Sequence, residues 1–156
     1  MKTFYKHIFI LLALILIGGL DSCGDASEIE PVANSIESNY SRWKKQGIDS
    51  YIITQQRMCF CIDGGAKMFV RVSGNKIISV TDSASAKLIP SDRWQWYKTI
   101  DELYATAIEA KKGNPAAYEI KFESVYGYPN YIWVDPNASM ADEEYGFVTT
   151  NFKPLR

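Results

Sequence analysis

Residues 51–81 read YIITQQRMCFCIDGGAKMFVRVSGNKIISVT. β-Branched and aromatic residues dominate the start, and residues 51–62 predict one long strand. Asp63-Gly64-Gly65 then turns the chain. Over residues 66–72 the side chains alternate, with Met68, Val70 and Val72 on one side and Lys67, Phe69 and Arg71 on the other. Ser73-Gly74-Asn75 is a tight hairpin signal. Residues 76–81 return as a third strand, with Ile78 and Val80 expected on the apolar side. Short turns between period-two segments make this an antiparallel meander.

Upstream of the meander, Asn34-Ser35-Ile36-Glu37 has the form of a helix start, a polar cap with a carboxylate three residues on. Ile36, Tyr40 and Trp43 share a helical face, and Gly47 stops the helix. Downstream, residues 82–98 read as mostly irregular, broken at Pro90. Thr99-Ile100-Asp101-Glu102 is a stronger capping box, followed by the stripe Ile100, Leu103, Tyr104, Ala107 and Ile108, and by a stop at Gly113-Asn114-Pro115. Three further strands are expected over residues 117–122, 130–134 and 145–152, with Ile132 and Val134 opposite Tyr131 and Trp133. The order α-βββ-α-βββ predicts an α+β fold, an antiparallel sheet with both helices packed on one face. The repeated order has the form of a duplication, although residue identity between the halves is slight. Whether the two meanders share one sheet stays open.

The N-terminus is of another kind. Lys2 and Lys6 precede an unbroken apolar run of ten residues, 8–17, then Gly18, Gly19 and Leu20. Such a segment is a secretory signal peptide. It is too short to cross a bilayer, which takes about 20 apolar residues as a helix. Leu20, Ser22 and Cys23 resemble the lipobox of bacterial lipoproteins; Asp21 departs from it, where a small or apolar residue is usual. The resemblance implies cleavage before Cys23 and acylation of Cys23, by a chain such as palmitate, which anchors the protein to a membrane. The domain plan is a signal peptide over 1–22, the lipidated cysteine and a flexible acidic tether over 23–33, and one α+β domain over 34–156. The expected location is the bacterial cell envelope, at the outer membrane on its periplasmic side or at the cell surface.

Cleavage removes 22 of 156 residues and leaves 134, enough for one domain with a real core. Lys2 and Lys6 leave the 17 basic residues and Asp21 leaves the 18 acidic ones, so 15 face 17 and the net charge is −2. No basic stripe points to nucleic acid. The one histidine, His7, also leaves with the signal. A mature chain without histidine cannot build Ser-His-Asp or Cys-His catalysis and lacks the commonest zinc ligand. No cofactor is expected, and nothing marks the chain as an enzyme.

The strand ending Cys59-Phe60-Cys61, the hairpin at Gly74-Asn75, the helix from Thr99 and the turn Tyr126-Gly127-Tyr128-Pro129 occur in a recognisable order. Together they resemble a family of bacterial lipoproteins catalogued as domain of unknown function 6174, over residues 40–152. The resemblance implies a fold and no mechanism.

Two sets of candidate residues remain. Cys59 and Cys61 are the sharpest. A disulfide is the default in an oxidising compartment. In an extended strand the two Cα atoms would lie about 6.6 Å apart, near the upper limit for a bridge, so closing it takes a bend. A redox-active pair assisted by Arg57, a soft metal such as Cu(I) or Zn(II) held by two thiolates, and buried thiols are the alternatives. The second set is aromatic: Trp94 and Trp96, which share a face if extended, with Tyr128, Tyr131 and Trp133. They could make a surface for a protein or glycan, or they could close the core. Asp135, Asn137, Asp142, Glu143 and Glu144 read as a solvated acidic loop rather than a Ca²⁺ site, because the spacing is not that of an EF-hand. The first expectation is a non-enzymatic binding module for an envelope protein or glycan, and the alternative is a thiol-based redox or metal-handling lipoprotein.

Overall fold

A computed structural model describes residues 35–155. The expected signal peptide over 1–22, the cysteine expected to carry lipid, Cys23, and the expected tether up to residue 33 lie outside the described residues. Helix α1 (Ile36–Lys45) is followed by strands β1 (Tyr51–Met58), β2 (Lys67–Ser73) and β3 (Lys76–Asp82). A 3-10 helix (Ser91–Trp96), helix α2 (Ile100–Lys112) and strands β4 (Ala117–Phe122), β5 (Pro129–Asp135) and β6 (Tyr145–Pro154) complete the domain. The expected α-βββ-α-βββ order and α+β class hold.

The helix ends follow local chemistry. Ser35 caps α1, its Oγ accepting the Ser38 N–H at 3.1 Å. The third helical residue is therefore Ser38, and Glu37 does not close a box. Thr99 and Glu102 do, with Glu102 N–H donating to Thr99 Oγ1 at 3.2 Å and Thr99 N–H donating to Glu102 Oε2 at 2.7 Å.

All six strands form one antiparallel sheet in the order β3-β2-β1-β6-β5-β4. The meanders join through β1 and β6, first strand to last, so β1 does not pair with its counterpart β4 and the topology lends no support to a duplication. One face is covered. Tyr51, Ile53 and Gln55 lie opposite Val72, Val70 and Met68, and all six are buried. Ile132 and Val134 continue that face, opposite Phe147 and Tyr145. Trp43 of α1 meets Tyr51 edge-on at 5.8 Å, and Tyr104 of α2 stacks on Phe122 at 6.1 Å. Both helices thus bury their stripes on one side. Among the described residues no helix covers the other face.

Three elements differ from expectation. Strand β1 stops at Met58 rather than at residue 62, because the chain turns at Cys59. Ile78 is 46 % exposed instead of lying on the apolar side. Val72 pairs with Ile77 and Arg71 with Ser79, so Ile78 is the extra residue of a bulge, and Ile77 packs against the core in its place. Residues 82–98 are not all irregular, since they hold the 3-10 helix and a bridge from Leu88 to Thr81. That bridge covers the outer edge of β3, with Ile89 N–H donating to Val80 O at 2.8 Å.

Candidate functional site

The connection from β1 to β2 carries the cysteine pair. Cys59 and Cys61 stand at disulfide distance with Cα atoms 5.3 Å apart, well inside the range a bridge tolerates. The bend that the sequence requires is supplied behind them. Gly64 N–H donates to Cys61 O at 2.9 Å and Gly65 N–H to Arg57 O at 2.8 Å. A Cβ at Gly64 would collide with Cys59 O, so only glycine lets the turn fold back this tightly. Arg57 Nη1 donates to Ile62 O at 3.1 Å, and Asp63 is ion-paired to Arg93 of the 3-10 helix. The turn is therefore fixed to two other elements.

This anchoring presents an apolar tip. Phe60 is 88 % exposed and Ile62 65 % exposed. A residue between two bridged cysteines at i and i+2 has nowhere to point but out. Cys61 is exposed and Cys59 half-buried, so the pair is not a set of buried core thiols. Among the described residues no group of three or more His, Cys, Asp or Glu is placed to hold a metal ion.

Grooves flank the tip on both sides of the sheet. One, of about 310 Å³, is lined by Arg57, Cys61, Ile62 and Trp96. The other, of about 300 Å³, is lined by Met58, Cys59, Phe60, Trp133, Asp142 and Glu144. Strand alternation places Arg57 on the helix side, with Tyr51, Ile53 and Gln55. Trp133 pairs with Gly146, and Gly146 with Met58, on the open side.

The aromatic candidates consequently do not form one shelf. Trp94 and Trp96 lie on a 3-10 helix rather than an extended segment. The Trp94 indole N–H donates to Ile89 O at 2.8 Å and its ring packs on the core. Two guanidinium groups lie over the Trp96 ring, Arg57 at 5.3 Å and Arg93 at 5.1 Å. Tyr128 is a correction: it is 4 % exposed, 5.2 Å from Phe152, and part of the core. Gly127 at φ +83° turns the chain just before it, and the buried Tyr104 hydroxyl donates to Gly127 O, which fixes the turn inward. Burial pushes the Tyr128 phenol up to about 12. Tyr131 and Trp133 are half-buried on the open face, away from residues 93–97. Lys121 Nζ lies 5.0 Å from the Tyr131 ring.

Residues 35–154 match a family of unknown function (DUF6174). The chain belongs to that family. No curated protein and no solved structure matches it. The DUF6174 match spans both meanders and both helices, so the cysteine turn and both grooves are inside the family domain.

Within this DUF6174 domain, sequence reasoning found Cys59, Cys61, Trp96 and Trp133 but not their common location. It missed Phe60, Ile62, Met58 and Gly146. The signal for Phe60 was its place between the cysteines. No local signal marks Gly146, whose role comes from strand pairing across the sheet. The acidic loop serves its own backbone in part, with Asp135 Oδ1 accepting the Asn137 N–H at 3.0 Å and Asn137 Oδ1 accepting the Ser139 N–H at 3.1 Å.

Proposed function

We propose that this protein is a lipid-anchored domain of the bacterial cell envelope that binds a partner protein, without catalysis, through the clasped tip carrying Phe60 and Ile62. The order of residues up to Cys23 supports the anchor. The observation that carries the binding reading is Phe60, 88 % exposed on a turn tied down by the cysteine pair and by Asp63 to Arg93. A large ring held in water by a rigid turn loses little entropy on docking. Apolar side chains of this exposure fit a protein pocket better than a glycan, which stacks on the open face of a ring set in a polar rim. A photo-crosslinking residue at position 60 in the full chain, expressed in cells, should give a discrete protein adduct. The same probe at Tyr118, exposed on edge strand β4, should not. Ile62→Asp should abolish the adduct. Equal adducts from both positions, or none from position 60, would reject the reading. Loss of envelope fractionation in Cys23→Ala tests the anchor.

A second reading rests on the exposure of Cys61. In it a partner dithiol supplies a thiolate that attacks the Cys61 sulfur and releases Cys59 as a thiolate. The partner's second thiol, deprotonated, then displaces Cys61, so this chain leaves reduced and the partner oxidised. A Cys59→Ser, Cys61→Ser variant that complements a deletion strain fully would rule it out.

A further inference from the structure

Across the open face of the sheet, Glu119, Trp133, Gly146 and Met58 stand in one cross-strand row over β4, β5, β6 and β1. Glycine interrupts that row. A Cβ on Gly146 would collide with Ile132 O and lie 2.6 Å from Met58 Cε, so the position has no room for a side chain. The terminal methyl of Met58 lies over Gly146 and takes the space that a side chain there would need. Met58 and Trp133 line the groove of about 300 Å³ together with Cys59, Phe60, Asp142 and Glu144.

The chemistry of this lining is one-sided. It has an indole, a phenyl ring and a thioether as walls, two carboxylates at the rim, and no basic residue. The carboxylates by themselves would be a solvated loop. Set against an aromatic groove, they select a ligand with an apolar stem and a positive end. An indole face is the strongest side-chain acceptor for a cation. Lysine and arginine carry the apolar stem that such walls cover, and their ends donate charge-assisted bonds to carboxylates. An anion is repelled, and a neutral sugar makes no use of the charge.

We propose that this groove receives the side chain of a lysine or arginine presented by the partner protein, next to the apolar contact made by Phe60. The inference rests on the binding-module reading and adds the chemical class of the partner's anchoring residue.

The test uses the full chain in detergent micelles, labelled with fluorotryptophan. Four tryptophans give four fluorine resonances, and Trp133→Phe assigns the one at the groove. The probes are blocked tripeptides with a central arginine, lysine or citrulline. The arginine or lysine peptide should shift the Trp133 resonance saturably, and the neutral citrulline peptide should not. An Asp142→Asn, Glu144→Gln variant should weaken binding by about tenfold or more, as should raising salt from about 50 mM to about 500 mM. Asp142 is exposed and Glu144 half-buried, and unchanged resonances of the other three tryptophans verify the fold. A flat titration, an equal response to citrulline, an unaltered double variant, or a shift at Trp96 instead would each overturn the proposal. Failure here is distinguishable from failure of the binding reading. If the position-60 adduct persists in the double variant, the cationic site is wrong and the apolar docking stands. If the adduct is lost there while the fold is intact, the basic residue is part of the docking.

Discussion

Gln55, wholly buried on β1, holds the backbone of Lys98 with both ends of its amide: Lys98 N–H donates to Oε1 at 2.9 Å and Nε2 donates to Lys98 O at 3.1 Å. The side chain does what a neighbouring strand would do. It fixes the segment between the 3-10 helix and α2, and so the height at which Trp96 and Arg93 stand beside the cysteine turn. Gln55→Leu keeps the volume but orphans a buried donor and a buried acceptor. The expected loss is about 2–4 kcal/mol, read as a lower urea midpoint at unchanged slope. A midpoint within error of the wild type would mean that the pairing is replaced by solvent.

The buried tyrosines make stability sensitive to alkali. Burial raises the Tyr51, Tyr104 and Tyr128 phenols above their ordinary value, Tyr128 to about 12. The unfolded chain releases these protons near pH 10, while the folded chain retains them. Their contribution is therefore complete below about pH 10 and is lost as the pH rises toward the folded values. The melting temperature should fall steeply above about pH 10, with tyrosinate absorbance rising at the unfolding transition. Tyr51→Phe should flatten that fall. It should also cost about 1–2 kcal/mol at neutral pH, because the Tyr51 hydroxyl accepts the Ile100 N–H at 2.7 Å at the start of α2.

Much of this fold is legible in short range. The alternation of Met68, Val70 and Val72 and the reciprocal cap of Thr99 and Glu102 are local, and both hold. Gly74 and Asn75, at φ +53° and +59°, make the tight hairpin that their sequence signals. The failures are of longer range. Cys59 to Ile62 is as apolar as a strand, yet it leaves the sheet because Gly64 and Gly65 bond back to Cys61 and Arg57. The bulge at Ile78 depends on how hairpin register meets the alternation of β2, which no single strand encodes. The junction of β1 with β6 joins residues about as far apart as the described chain allows, for example Thr54 with Thr150. That junction creates the row containing Gly146 and puts Trp133 beside Met58. The site was therefore visible as residue types and invisible as a place.

The cysteine clasp should matter more to the tip than to the fold. A bridge between i and i+2 closes a very short loop, for which the chain-entropy contribution is about 1–2 kcal/mol. Cys59→Ser, Cys61→Ser should lower the urea stability by no more than that and leave the sheet intact. It should nonetheless weaken the position-60 adduct, since Phe60 then loses its fixed direction. A double variant that unfolds at room temperature would show that the pair carries the fold instead. One that keeps both stability and adduct would show that Gly64, Arg57 and Asp63 hold the turn unaided.

Gly146→Ala separates the groove from the tip. The new methyl meets the carbonyl of Ile132 on the paired strand, a backbone atom that cannot swing aside, and Met58 Cε, which can. Overpacking of this kind costs about 1–3 kcal/mol, and the methyl displaces the Met58 thioether, a wall of the groove. The expected outcome is a folded, less stable protein whose Trp133 resonance no longer responds to the arginine peptide. Phe60 lies on the far side of the groove and its exposure is unaltered, so the adduct through position 60 should be weakened rather than abolished. A Val70→Ala variant is the control, a comparable loss of stability at a residue wholly buried on the helix-covered face of β2, away from the groove. If loss of the cation response in Gly146→Ala merely reflected lower stability, Val70→Ala would share it at a matched urea midpoint. If the response follows the shape of the groove wall, Val70→Ala keeps it while Gly146→Ala does not.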